Sequence, residues 1–117
     1  MSSYTSIIND FFDELPTHVK KILNEYKKLT YLNTFFIHKD YFINHKETKL
    51  TDFNNSRWVM KPHLFCAEIY SNIDQYVFPV ILTVNNIKSI MEFIPDNLQN
   101  RKIITPSINI IKEIAAK

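Results

Sequence analysis

Apolar residues recur at helical spacing along residues 4 to 29: Ile7, Ile8, Phe11, Phe12 and Leu15, then Val19, Ile22, Leu23, Tyr26 and Leu29. The spacing predicts helix over this stretch. Pro16 interrupts it, because proline has no N–H to give and its ring collides with the preceding turn. Either one kinked helix or two helices follows, the second opening with proline in its first turn. Lys20, Lys21, Lys27 and Lys28 fall mostly off the stripe and read as a solvated face.

Between residues 31 and 53 the pattern changes. Thr34-Phe35-Phe36-Ile37 and Tyr41-Phe42-Ile43 are β-rich runs, so the reading here is two extended segments joined at His38-Lys39-Asp40 by a hairpin or an irregular connection. Residues 44 to 56 are polar and read as a loop. Trp58-Val59-Met60 reads as a short strand stopped by Pro62.

Two short helices are predicted next. The first carries Leu64, Phe65, Ala67, Glu68, Ile69 and Tyr70, with Asn72 as its left-handed cap. The second runs from Asp74 or Gln75 to Asn86 and is apolar on nearly every side: Val77, Phe78, Val80, Ile81, Leu82, Val84. Such a helix is buried on more than one face, which makes it the expected centre of the core. Pro79 sits in its first turn. After a connection that turns at Pro95-Asp96-Asn97, Lys102 to Thr105 reads as a strand closed by Pro106. Ser107 then caps a final helix, Ile108 to Ala116, with Ile110, Ile111 and Ile114 on one side.

Composition narrows the function. With 117 residues, 45% of them hydrophobic and 14% aromatic, the chain can bury a core of its own. It contains no glycine at all, which excludes the glycine-rich loops that let a backbone approach nucleotide phosphates. A net charge of +2 does not argue for nucleic acid. The predicted helix 74–86 has no Lys or Arg, so it would make a poor recognition helix in a helix-turn-helix. The lone Cys66 cannot form an internal disulfide and fits a reduced compartment. Neither a signal peptide nor an apolar run of about 18 residues is visible, so no membrane partner is expected.

Strand, helix, helix, strand over residues 57 to 105 is the order of a LysM fold. The residues go further: Lys61-Pro62, then Ala67-Glu68-Ile69-Tyr70-Ser71-Asn72, then Tyr76 to Asn86, and later Arg101 to Ser107 before an Ile-rich helix. This pattern resembles the LysM-like baseplate wedge subunits of contractile-tailed bacteriophages, with Ser71 where glycine is usual. The resemblance spans about half of the chain. It implies an α+β fold with a small LysM-like β-α-α-β core and helical extensions at both ends. Residues 1–56 would be a helical region with a β-rich connection, and residues 57–117 the core with its C-terminal helix.

The function implied is structural: a virion protein that docks neighbouring wedge proteins and a sheath-initiator-like subunit in the tail baseplate, assembled in the host cytoplasm. It would be no enzyme, with no cofactor, small-molecule substrate or nucleic acid. The alternative from the same fold is a peptidoglycan-binding module. Against it, the Gly-Asp-Thr that usually follows Lys-Pro in wall-binding modules is replaced by His63-Leu64-Phe65.

Catalytic and metal patterns are weak. His18, His38, His45 and His63 lie in separate segments, and only His63 and Cys66 stand one helical turn apart. The neighbours of Cys66 predict a buried thiol rather than a nucleophile. Aromatic and apolar side chains are the better candidates, as anchors in a protein interface: Phe11, Phe12, Tyr26, Trp58, Tyr70, Tyr76 and Ile111. Trp58, Tyr70 and Tyr76 would equally serve as a stacking surface for sugars or bases, or simply as core.

Overall fold

A computed structural model describes residues 12–28 and 32–117. The expected helix before Pro16 lies mostly outside them, and what is described there is one 3-10 turn, Phe12–Glu14. Pro16 takes φ −59°, ψ 153° and stands just ahead of helix α1 (Thr17–Lys27), its carbonyl accepting from Lys20 N–H at 3.0 Å. The break therefore separates two pieces rather than kinking one. Val19, Ile22 and Leu23 form the buried stripe of α1.

The next segment corrects the sequence reading. Residues 33–44 are two short helices, α2 (Asn33–Ile37) and α3 (Lys39–Asn44), with His38 at the joint. Aromatic and β-branched residues favour strands only where a pleated neighbour is within reach. Here Phe35 and Phe42 are drawn inward on one side of a helical segment instead. The polar stretch expected to be a loop contains the first strand, β1 (Lys49–Asp52). Trp58 is not in a strand either: Ser56–Trp58 is a 3-10 turn, set by the Asn55 side chain accepting from Arg57 N–H at 2.9 Å.

Helix α4 (Pro62–Ile69) and a 3-10 turn at Gln75–Val77 lead into helix α5 (Phe78–Val84). Every residue of α5 is buried, as its unbroken apolar sequence requires. Its one polar side chain, Thr83, is satisfied by donating to the Pro79 carbonyl at 2.9 Å. After single 3-10 turns at Ile90–Glu92, Pro95–Asn97 and Gln99–Arg101 come strand β2 (Lys102–Thr105) and helix α6 (Ile108–Ala115). Ser107 caps α6 as expected, its hydroxyl accepting from Ile110 N–H at 3.3 Å. At the other end of α6 the Lys21 ammonium donates to the Ala115 carbonyl at 2.9 Å, where the helix dipole favours a cation.

The strands pair antiparallel in the register Lys49↔Thr105, Leu50↔Ile104, Thr51↔Ile103 and Asp52↔Lys102. The fold is a small α+β fold: a two-stranded sheet, two helices between its strands, and helices before and after. The strand–helix–helix–strand order holds, with its first strand at 49–52 instead of near Trp58. The sheet and the apolar core, which runs from Leu15 to Ala115, therefore both cross the expected boundary at residues 56 and 57.

Without glycine, four residues among those described occupy the left-handed region: Met60, Asn86, Asn100 and Arg101. Two of them are asparagines, the residue type best suited to the task, but Asn72 is not among them. Helix α4 ends instead at Tyr70 with φ −103°, ψ −85°. No helix of the described residues is long and apolar enough to cross a membrane.

Candidate interaction surface

The segment 33–44 places large apolar side chains on both of its sides. Inward, Phe35 and Phe42 stack with ring centroids 6.3 Å apart and an interplanar angle of 20°. Here α2 packs on α5 and α6, and α3 packs on α5. Outward, Phe36 is 51% exposed, Ile37 75%, Tyr41 41% and Ile43 37%. A helix that needed only to cover the core would carry polar residues on that side. Contiguous apolar surface of a few hundred Å² rimmed by polar groups marks an interaction site.

The rim is polar and partly tied down. The Lys39 ammonium lies 5.9 Å above the Phe36 ring and donates to the Asn86 side chain. Tyr41 stands edge-on to His45 at 5.2 Å and donates its hydroxyl to Glu113 at 3.4 Å. Asp40, Tyr41, Asn44, His45 and Lys46 line a shallow depression of about 530 Å³. Other exposed apolar side chains are scattered: Leu50 on β1, Ile69 at the end of α4, and Met60, Ile73 and Met91 between the helices and strands, the Met60 N–H bonding the Phe93 carbonyl at 2.9 Å.

The interface residues expected from sequence occupy other places. Phe11 lies outside the described residues, and Phe12 opens the first 3-10 turn with its side chain outside them too. Trp58 and Tyr76 are core residues, 7% and 9% exposed, and Ile111 is wholly buried. Trp58 meets Phe65 edge-on at 4.9 Å and Phe53 at 6.0 Å, and its indole N–H donates to Glu68. Tyr70 is packed against the core with its hydroxyl donating to the Pro106 carbonyl, and burial pushes its pKa far up. Tyr26, half-buried, sits edge-on to Phe78 at 5.5 Å. Trp58, Tyr76 and Ile111 thus belong to the core, a correction to their reading as interface anchors, while Tyr26 and Tyr70 pack on it with part of their surface exposed. Aromatic composition cannot tell the inside of a small domain from its interface, because both demand large apolar area.

The titratable groups form a second cluster. His18 Nε2 lies 3.1 Å from Asp74 Oδ1, and Ser71 Oγ donates to Asp74 Oδ2 at 3.1 Å. The residue types are those of a hydrolase triad, yet the order is wrong for catalysis: the carboxylate stands between hydroxyl and imidazole, so the imidazole cannot take the hydroxyl proton. The cluster instead clamps α1 to the turn before Gln75. Cys66 is fully buried nearby, and burial, with the Asp74 charge as a lesser cause, raises its thiol pKa well above the usual range. His63 is half-buried against Phe78, and burial, helped by Lys61, lowers its pKa. Among the described residues no three His, Cys, Asp or Glu side chains gather as a metal site would require.

Comparison with protein-family models, with curated proteins and with solved structures gave no match.

Proposed function

We propose that this chain is a structural assembly subunit that joins neighbouring proteins through the outer face of α2 and α3. The observation that carries this reading is the placement of Phe36, Ile37, Tyr41 and Ile43 in solvent on a segment whose other side is already buried. Exposing that much apolar surface costs solubility and is retained where a partner covers it. The motif resemblance of residues 61–107 gives the setting: a baseplate wedge subunit of a contractile phage tail. Its partners are then other wedge proteins and a sheath-initiator-like subunit, and its place is the virion.

Burial of Trp58, Tyr70 and Tyr76 supports assembly over the peptidoglycan-binding alternative, since the rings that would stack on sugars are used inside. Quantitative mass spectrometry of intact particles tests the setting. The chain should be present in stoichiometric amounts that fit the ring symmetry of a baseplate, and absence from particles overturns it. The surface is tested separately by Phe36→Ser with Ile37→Lys. The variant should keep its fold by circular dichroism yet fail to enter particles, and normal incorporation would refute the docking role of this face.

A further inference from the structure

The two edges of the sheet are treated differently. Phe53 N–H donates to the Arg101 carbonyl at 3.1 Å, which fixes the ladder: residues 49, 51 and 53 turn their backbone groups toward β2, and residues 50 and 52 turn theirs away. By the same alternation Ile104 faces away from β1. There the Asn85 side chain stands in for a third strand, its Oδ1 accepting from Ile104 N–H at 2.8 Å and its Nδ2 donating to the Ile104 carbonyl at 3.0 Å. One edge is thus sealed by a side-chain amide. Among the described residues nothing seals the other, along the exposed β1.

On that open edge the free groups form a pattern. Leu50 presents both its N–H and its carbonyl. The Asp52 carbonyl already accepts from Asn54 N–H at 2.9 Å, which leaves the Asp52 N–H. Thr48 N–H already donates to the His45 carbonyl at 3.0 Å, which leaves the Thr48 carbonyl. Read along the edge, this is an acceptor, then a donor with an acceptor, then a donor. The pattern is its own antiparallel complement about Leu50.

We propose that β1 pairs with β1 of a second copy of this chain, antiparallel and centred on Leu50, to make one four-stranded sheet. Leu50 and its counterpart then exchange two hydrogen bonds, and each Asp52 N–H meets the Thr48 carbonyl of the other copy. A shift of register by two residues would leave unused either the Thr48 carbonyl or, in the other direction, the Leu50 carbonyl. The outer face gains an apolar row, because the exposed Leu50 packs on Leu50 of the second copy with Ile104 on either side. Each strand also begins at Lys49 and ends at Asp52, so the antiparallel arrangement brings ends of opposite charge together.

Analytical ultracentrifugation of the full chain tests it. The mass should rise with concentration from one chain to two, while hydrogen exchange of the Leu50 amide slows in parallel. Leu50→Pro removes only an outward N–H, which the β1–β2 ladder does not use, so it should stay folded by circular dichroism and remain monomeric. Leu50→Lys keeps the N–H but sets like charges opposite each other, and should shift the equilibrium toward monomer. A single-chain mass at every concentration overturns the proposal, as does a dimer that Leu50→Pro leaves intact. If Leu50→Pro fails to fold, the wild-type exchange measurement decides: a Leu50 amide that exchanges equally fast at all concentrations overturns the pairing.

Discussion

Replacing Asn85 tests how much of the fold depends on a side chain acting as backbone. Its amide makes three hydrogen bonds: Nδ2 to the Ile81 carbonyl at 2.7 Å, Nδ2 to the Ile104 carbonyl at 3.0 Å, and Oδ1 from Ile104 N–H at 2.8 Å. Asn85→Ala removes all three and leaves both backbone groups of a half-buried Ile104 to find water. At about 1 kcal/mol net per neutral hydrogen bond, the loss should be about 2–3 kcal/mol. Asn85→Asp has nearly the same shape but sets a carboxylate oxygen against two carbonyls. It should be at least as destabilising at neutral pH. Part of the loss should return as acid protonates the new carboxyl and restores a donor, so this variant gains stability relative to wild type as pH falls. Urea unfolding followed by circular dichroism gives both values, provided the slope with denaturant stays constant. An Asn85→Ala protein within about 0.5 kcal/mol of wild type would refute the reasoning, since that is the scatter of ordinary surface substitutions. So would an Asn85→Asp protein as stable as the parent.

Three other outcomes follow from the core and its titratable groups. Val80→Asp places an unpaired carboxylate in a helix buried all round and should leave no folded protein, because the cost of several kcal/mol rivals the whole stability of a small domain; a soluble, cooperatively unfolding variant would show that α5 is not the centre. His63 holds a lowered pKa in the fold, so the unfolded chain binds the extra proton first: stability is full above the ordinary histidine pKa of about 6.5 and falls as pH drops below it. His63→Gln should flatten that acid-side loss in urea titrations between about pH 5 and pH 8, and an unchanged slope would contradict the assignment. Cys66 should resist alkylation in the native state and react only at the rate of global opening, which a thiol-labelling series in urea would measure.

Much of the second half of the chain was legible before the structure. The unbroken apolar run of α5, the Ser107 cap and the proline-bounded Lys102–Thr105 strand each carry a local signal that agrees with their surroundings. What escaped was non-local. Lys49-Leu50-Thr51-Asp52 has one apolar residue and becomes a strand only because Lys102–Thr105 is there to pair with it. Conversely, Thr34–Ile37 and Tyr41–Ile43 have strand-like composition but lie against α5, where helices bury Phe35 and Phe42 better. The candidate surface followed the same rule. Residues 34–43 read as two extended runs without an outer side, while the interface candidates Trp58, Tyr76 and Ile111 turned out to be claimed by the core. Asparagine did replace glycine at left-handed turns, at Asn86 and Asn100 rather than Asn72, because the sequence does not mark which turn needs the positive φ.

The pairing of residue 49 with residue 105 also sets an order of events. A growing chain synthesised from its N-terminus reaches the Lys49–Asp52 segment long before the segment that makes it a strand, and Asn85 has no strand to hold until Ile104 has emerged. Closing so long a loop must precede any gain from the sheet, which slows folding relative to a bundle of local contacts. Until that closure both flanks of Lys49–Asp52 stay bare, so the sheet edge proposed to pair with a second copy takes shape only once residues 102–105 are in place. A truncation before Lys102 should therefore yield a product without a defined sheet edge, and that coupling makes association through β1 depend on a segment some fifty residues further along the chain.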